Sequence, residues 1–142
     1  MIYLDTSALI PLFVHEAMSD AVRRKMSTLP PDRLAISEWT KTEFVSAIGI
    51  RVRMRHLDSE VAWEIVQALD RTADESFSVL APEAGDSVDA ARYCEQFKLG
   101  LRAGDALHLA IASNHGAEMV YSLDQRMVAC AQSLKIKAQV LV

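Results

Sequence analysis

Met1-Ile2-Tyr3-Leu4-Asp5-Thr6-Ser7-Ala8-Leu9 opens the chain, and its reading decides the fold. Ile2 to Leu4 is an apolar run too short for a helix and made of residues that favour strands. Asp5 closes the run, and Thr6 and Ser7 follow, residue types that bond local backbone N–H groups at turns and helix starts. A strand that ends on an acid and passes straight into a helical pattern is the first half of a β–α unit. Four later runs have the same character: Leu34-Ala35-Ile36-Ser37, Phe77-Ser78-Val79-Leu80, Met119-Val120-Tyr121-Ser122 and Gln139-Val140-Leu141-Val142. Between them a 3.6-residue period predicts helices over 7–13, 16–28, 38–55, 58–74, 85–97, 104–115 and 124–134. Asp58 is placed as an N-cap, with Val61, Ile65 and Leu69 on one face; Pro30-Pro31 closes the second helix and Pro82 separates the third strand from the next. The alternation predicts an α/β fold, a mostly parallel five-stranded sheet covered by helices on both faces. The 142 residues suit a single domain over 1–142, with no internal repeat.

Composition narrows the class. Hydrophobic residues make up 51% and charged residues 24%, a globular mixture. Cys94 and Cys130 lie far apart and form no C-x-x-C pair, which argues against a cysteine zinc site and a disulfide framework; they are read as buried, reduced thiols. Residues 1–5 lack the basic and apolar regions of a secretory signal, and no apolar stretch is long enough to span a bilayer, so the expectation is a cytoplasmic protein with no membrane partner. The net charge of −4 is not the basic balance of a generic nucleic-acid binder.

Four acids carry the candidate chemistry: Asp5, Glu43, Asp105 and Asp124. Without them the remaining 15 acids equal the 15 Lys and Arg, so the acidic excess is the size of the candidate site itself. Each has a simple structural alternative. Asp5 and Asp124 suit helix caps, and Asp105 suits a first-turn acid facing the helix dipole. Glu43 shares a helix face with Ala47, Ile50 and Met54, and Asp105 shares one with Leu109 and Ala112, so both are expected to point inward. A carboxylate on an apolar face is costly unless it is paired, shifted in pKa or bound to a metal. Together the four converge, because each lies at a strand end or early in the helix after one, and in a parallel sheet those positions share one rim. Four carboxylates so close cannot all stay ionised without cations, and an all-oxygen set favours Mg²⁺ or Mn²⁺ over Zn²⁺. Two such ions about 3.5–4 Å apart activate a water and stabilise the leaving oxygen of a phosphodiester.

These motifs resemble those of the PIN-domain nucleases, and most closely the VapC toxins of bacterial and archaeal toxin–antitoxin pairs. The likeness runs nearly end to end. It covers Tyr3-Leu4-Asp5-Thr6-Ser7-Ala8-Leu9, Ser37-Glu38-Trp39-Thr40-Lys41-Thr42-Glu43-Phe44, Arg102-Ala103-Gly104-Asp105-Ala106-Leu107-His108-Leu109-Ala110, and Ser122-Leu123-Asp124 followed by Arg126-Met127. The third is the most specific. The resemblance implies a three-layer α/β/α fold, Mg²⁺- or Mn²⁺-dependent endoribonuclease activity, control by a small VapB-type antitoxin, and a homodimer. It implies that Asp5, Glu43, Asp105 and Asp124 are catalytic metal ligands, with Ser122 orienting a carboxylate or water and Thr6 supporting the same network.

Arg51, Arg53, Arg55 and His56 form the densest basic cluster, read as a solvated helix face that is also a candidate phosphate contact. Arg102 stands one turn before Asp105, positioned for a phosphate or an acid. His108, flanked by apolar residues and without a second histidine at ligand spacing, is read as a core or hydrogen-bonded residue. Trp39 and Trp63 are read as core or interface residues. Two rival functions frame the reading. Transfer through an aspartyl-phosphate also uses a strand-end Asp, but no second Asp stands two residues after Asp5 and no lysine ends a later strand. A catalytically silent interaction module on the same fold is the other.

Overall fold

The strands are three or four residues long, and what makes them a sheet is burial rather than length. The computed structural model describes residues 1–142. Strands β1 (Ile2–Leu4), β2 (Leu34–Ser37), β3 (Ser78–Leu80), β4 (Met119–Ser122) and β5 (Ala138–Val140) lie in the order β3-β2-β1-β4-β5. Every pairing is parallel, in register Ile2 to Leu34 and Met119, Ala35 to Ser78 and Val120 to Ala138. Parallel neighbours need crossovers, and these are helical: α1 (Thr6–Phe13), α2 (Ser19–Met26), α3 (Glu38–Arg53), α4 (Ser59–Ser76), α5 (Ala84–Cys94), α6 (Ala103–Asn114) and α7 (Gln125–Ser133). Short 3₁₀ turns occupy Pro31–Arg33 and Phe97–Leu99.

Side chains alternate across β1 and so divide the core in two. Ile2 and Leu4 face Leu9, Ile36, Phe44 and Leu69, which brings α1, α3 and α4 onto one side of the sheet. Tyr3 faces the other way, with Leu109, Val120 and Met127, under α6 and α7. Helix α5 packs on α6 through Ala90, Ala106 and Ala110. The result is the three-layer α/β/α arrangement, and the sheet is wholly parallel. No helix is long and apolar enough to cross a membrane. Both cysteines are free; Cys130 is buried and Cys94 half-buried.

The expected elements are all present, with shifted edges. The second helix begins at Ser19, and the last strand ends at Val140. On α4 the buried stripe is Ala62, Leu69 and Ala73, while Val61 is 43% exposed. The helix is rotated so that two alanines, small enough for close packing, meet its neighbours. Asp58 sits at the N-cap but makes no capping bond. Trp63 lies outside the core at 67% exposure, whereas Trp39 is partly buried against the second cluster.

From β1 the chain steps outward through β2 to β3, then returns to β4 on the opposite side of β1. The connections therefore diverge between β1 and β4, and a crevice opens at the carboxyl ends of those two strands. Phe44 is fully buried against Phe13, ring to edge at 5.4 Å, directly beneath that crevice. Phe44→Ala is expected to cost about 3–5 kcal/mol in urea unfolding, and Trp63→Ala less than about 0.5 kcal/mol. Equal losses would contradict this division of core and surface.

Candidate functional site

Helix starts build the crevice. Asp5 ends β1 and caps α1, its Oδ1 accepting from Ala8 N at 3.0 Å. Backbone pairing continues one residue past β1, Asp5 N donating to the Tyr121 carbonyl at 3.2 Å. That extension sets Asp5 beside Ser122, whose hydroxyl donates to Asp5 Oδ2 at 2.7 Å. Ser7 Oγ lies 2.8 and 3.0 Å from the two Asp5 oxygens and accepts from Leu123 N at 2.7 Å. Ser122 Oγ in turn accepts from Asp124 N at 2.9 Å. Asp5 is only 4% exposed, and these contacts join the turns after β1 and β4 around it.

Asp124 is the N-cap of α7, its Oδ1 accepting from Arg126 N at 2.8 Å and Met127 N at 3.1 Å. The capping role foreseen for it is thus real, and the residue also lines the cleft. Asp105 lies in the first turn of α6 with a side chain 21% exposed. Arg102, just before α6, reaches over both acids, Nε at 4.0 Å from Asp105 Oδ2 and Nη2 at 3.8 Å from Asp124 Oδ2. Three acids therefore stand at the N-termini of α1, α6 and α7, where the unpaired N–H groups and helix dipoles favour negative charge.

Glu43 comes from the side, on the second turn of α3. Its expected apolar stripe is not a core stripe: Ile50 and Met54 are 44% and 58% exposed, and the buried face of α3 is Thr40, Phe44 and Ile48. Glu43, Ala47 and Ile50 instead line the cleft wall. Arg51, from the basic cluster, lines it too, bonded to Glu16 and to the Ala47 carbonyl. Glu43 Oε2 accepts from the Thr6 hydroxyl at 2.7 Å and lies 2.8 Å from His108 Nε2. Its Oε1 makes no hydrogen bond and lies on the Gly104 side, where a Cβ would come within 2.6 Å of it.

The sequence reading missed the support behind Glu43. His108 is 1% exposed, with Nδ1 2.8 Å from the Tyr3 hydroxyl. Tyr3 Oη is bonded to Ser37 Oγ at 2.7 Å and Thr40 Oγ1 at 3.1 Å, the two residues of the capping box that starts α3. A serine closing a strand with a threonine three residues on was a visible capping signal. The tyrosine's bond to it, between residues distant in sequence, was not. Of the other buried polar side chains, Asp5 and Ser122 belong to the tie between the turns after β1 and β4, only Ser19 and Asp86 lie away from both networks, and no buried side-chain donor or acceptor is unpartnered.

The environment sorts the carboxyls. Burial pushes the Asp5 carboxyl up, against the Ser122, Ser7 and Ala8 hydrogen bonds. Burial likewise raises Asp105, opposed by Arg102 and reinforced by the charges of Asp124 and Glu43. Burial works upward on Glu43 as well, but the His108 and Thr6 hydrogen bonds, with Arg102 nearby, outweigh it and hold that carboxyl below its ordinary range. All four acids border one open cleft of about 620 Å³. They are not closed into a ready cage: no three acids, histidines or cysteines are gathered tightly enough to grip an ion as they stand. The donor set is nevertheless all oxygen, with Glu43 Oε1, both Asp105 oxygens and Asp124 Oδ2 free of hydrogen bonds. Such a set suits a hard divalent cation once the exposed Arg102 side chain swings away.

A raised carboxyl binds its proton more tightly in the folded state. Its contribution therefore favours folding below the unfolded pKa and fades as pH rises through the folded one. At neutral pH in EDTA, Asp105→Asn is expected to raise Tm by about 2–4 °C, the effect of about 1 kcal/mol in a chain of this size, and the gain should vanish near pH 3. A lower Tm for this variant at neutral pH would mean that the acids are not in mutual strain.

Comparisons with known proteins bear on the family and the fold. The PIN domain family model matches residues 2–132. No curated protein matches the chain. Among solved structures, VapC20 of Mycobacterium tuberculosis, described as a sarcin–ricin loop cleaving toxin, superposes with a TM-score of 0.74 at 18% identity, over 91% of this chain and 94% of that one. A toxin–antitoxin complex from Klebsiella pneumoniae gives 0.71 at 19%, over 100% and 98%. VapBC-1 from nontypeable Haemophilus influenzae gives 0.69 at 19%, over 99% and 98%. At such identities the superpositions establish a shared fold and nothing finer. The family match spans nearly the whole chain and all four acids: this protein belongs to the PIN domain family.

Proposed function

We infer that this chain is a divalent-metal-dependent endoribonuclease, the toxin of a type II toxin–antitoxin pair, acting in the cytoplasm as a single domain over residues 1–142. The observation that carries the reading is the meeting of four carboxylates at the β1/β4 crevice, with unbonded oxygens facing an open cleft. Nucleases belong to this family, and the neighbours from Klebsiella pneumoniae and Haemophilus influenzae are toxin–antitoxin assemblies, which supports a VapB-type antitoxin as partner. A homodimer is part of the same proposal.

Asp5, Glu43, Asp105 and Asp124 would hold Mg²⁺ or Mn²⁺. When bound, the cation supplies an activated water and offsets charge on the phosphodiester. The protein's own part is orientation. Ser122 and Ser7 fix the rotation of the Asp5 carboxylate, Thr6 fixes that of Glu43, and Arg102 is free to turn from the acids toward a phosphate oxygen. Its two ion pairs are long and its guanidinium is 66% exposed, so little stability opposes that turn.

Purified without a partner, the chain should cleave structured RNA with Mg²⁺ or Mn²⁺ and stop in EDTA. Asp5→Ala and Asp105→Ala should each lower the rate at least about 100-fold. Arg102→Ala is expected to cost about tenfold with the metal requirement unchanged. Cleavage that persists in EDTA or in Asp5→Ala would refute the assignment; no cleavage with any divalent ion would favour the silent interaction module. Co-expression with a VapB-type antitoxin should yield a complex that elutes together and does not cleave, and failure to co-purify would exclude the toxin role.

A further inference from the structure

His108 is nearly buried, is bonded at both ring nitrogens and touches no solvent-facing part of the cleft, so the reaction does not employ it directly. We propose that Tyr3 and His108 form a positioning pair that fixes which oxygen of Glu43 faces the cleft. The proposal extends the reading of Glu43 as a cation ligand and rests on it in its functional part alone.

The hydrogen count supports a single arrangement. Ser37 Oγ accepts from Thr40 N at 3.2 Å, and Thr40 Oγ1 accepts from Ser37 N at 3.1 Å. The two hydroxyls also lie 3.1 Å apart, so even where one donates to the other, at least one proton is available for Tyr3 Oη, at 2.7 or 3.1 Å. Tyr3, supplied with a proton from that side, has its own free for His108 Nδ1 at 2.8 Å. A ring that accepts at Nδ1 carries its proton on Nε2, and Nε2 points at Glu43 Oε2, 2.8 Å away. The Thr6 hydroxyl donates to the same oxygen at 2.7 Å. Two donors thus engage Oε2 and leave Oε1 as the free oxygen.

The reverse tautomer would leave Nε2 with a lone pair against a carboxylate oxygen, a contact repulsive inside a buried network. The Glu43 carboxylate, an acceptor only, discriminates between the two, and the Tyr3 phenol, whose pKa burial raises above its ordinary value, supplies the matching proton at Nδ1. The geometry matches the outer hydrogen bonds that orient ligands in metal sites, whose loss lowers affinity about 10–100-fold. The anchor is rigid: Ser37, Thr40, Tyr3 and His108 come from β1, β2, α3 and α6, and all four are at most 1% exposed.

The test reads the ring directly. In metal-free protein with ¹⁵N-labelled histidine, two-bond ¹H–¹⁵N spectra should show a proton on Nε2 of His108, and Tyr3→Phe, which removes the donor to Nδ1, should move the Nδ1 resonance downfield toward that of an unbonded acceptor nitrogen. Mn²⁺ titration followed by electron paramagnetic resonance should show affinity reduced about tenfold in Tyr3→Phe and about 10–100-fold in His108→Leu. His108→Gln, which can restore an N–H to Glu43, should recover affinity to within about threefold of the original. An Nε2 without a proton overturns the proposal, as does an Nδ1 resonance that Tyr3→Phe leaves unmoved. Folded His108→Leu with unchanged Mn²⁺ affinity overturns it too. If the unmutated protein binds no Mn²⁺, the metal reading falls by itself and the nitrogen spectra alone decide the pair.

Discussion

The hydrogen-bonded tie across β1 and β4 is the constraint on which the rest of the molecule depends. These two strands sit side by side, yet the connections leaving them run in opposite directions across the sheet. Backbone pairing ends with Asp5 N on the Tyr121 carbonyl, and nothing in it past that bond would hold their continuations together. The Asp5 carboxylate does so, accepting from its own turn through Ala8 and Ser7 and from the other turn through Ser122. Ser7 and Ser122 each accept an N–H from the turn after β4. A buried charge is costly in isolation, and here several donors meet its lone pairs and offset part of that cost. The residue that pins the crevice is thus the one that would hold the cation.

Helix starts serve the same economy of position. In a parallel sheet every strand delivers the chain to one rim, and every following helix presents its unpaired N–H groups there. Asp5, Asp105 and Asp124 use those groups or their field, so three like charges can lie along one cleft without unfolding it. Arg102 adds a mobile positive charge between two of them. The remaining mutual strain is visible in the direction of the Asp105 carboxyl, pushed up by burial and by its acidic neighbours. The core of this layer, with Phe44, Leu4 and Leu9 fully buried, offsets that strain.

What could be read from the sequence follows from the range of each interaction. Strand ends, helix spacing and acid positions are local, so the α/β class, the parallel sheet and the rim shared by the four acids were legible. Glu43 was legible as an anomaly but for a partly wrong reason: its face with Ala47, Ile50 and Met54 proved to be a cleft wall rather than a core stripe, because α3 buries the adjacent face carrying Phe44 and Ile48. Its partner was illegible. His108 is 65 residues away in sequence and its hydrogen bond depends on the side-by-side placement of α3 and α6. The same holds for Tyr3, whose hydrophobic ring suited a strand while its hydroxyl bonds His108 Nδ1. Ser7 was read as a turn former and proved to bridge two turns.

Gly104 shows how tightly the local and the distant are joined. Glycine in the first turn of a helix sacrifices stability relative to alanine, and nothing in the backbone of α6 calls for it, since its φ is not in the left-handed region. The reason lies across the cleft. An added Cβ would come within 2.6 Å of Glu43 Oε1 and 3.5 Å of the Trp39 ring, whose N–H donates to the Gly104 carbonyl at 3.3 Å. The colliding atom is the end of a flexible side chain, so a larger residue would displace the carboxylate rather than the helix. Trp39 would hold the helix in place while Glu43 gave way. Glu43 thus has His108 and Thr6 fixing one oxygen and an empty space reserved for the other. Both features serve the orientation of a single carboxylate, and neither is required by the fold.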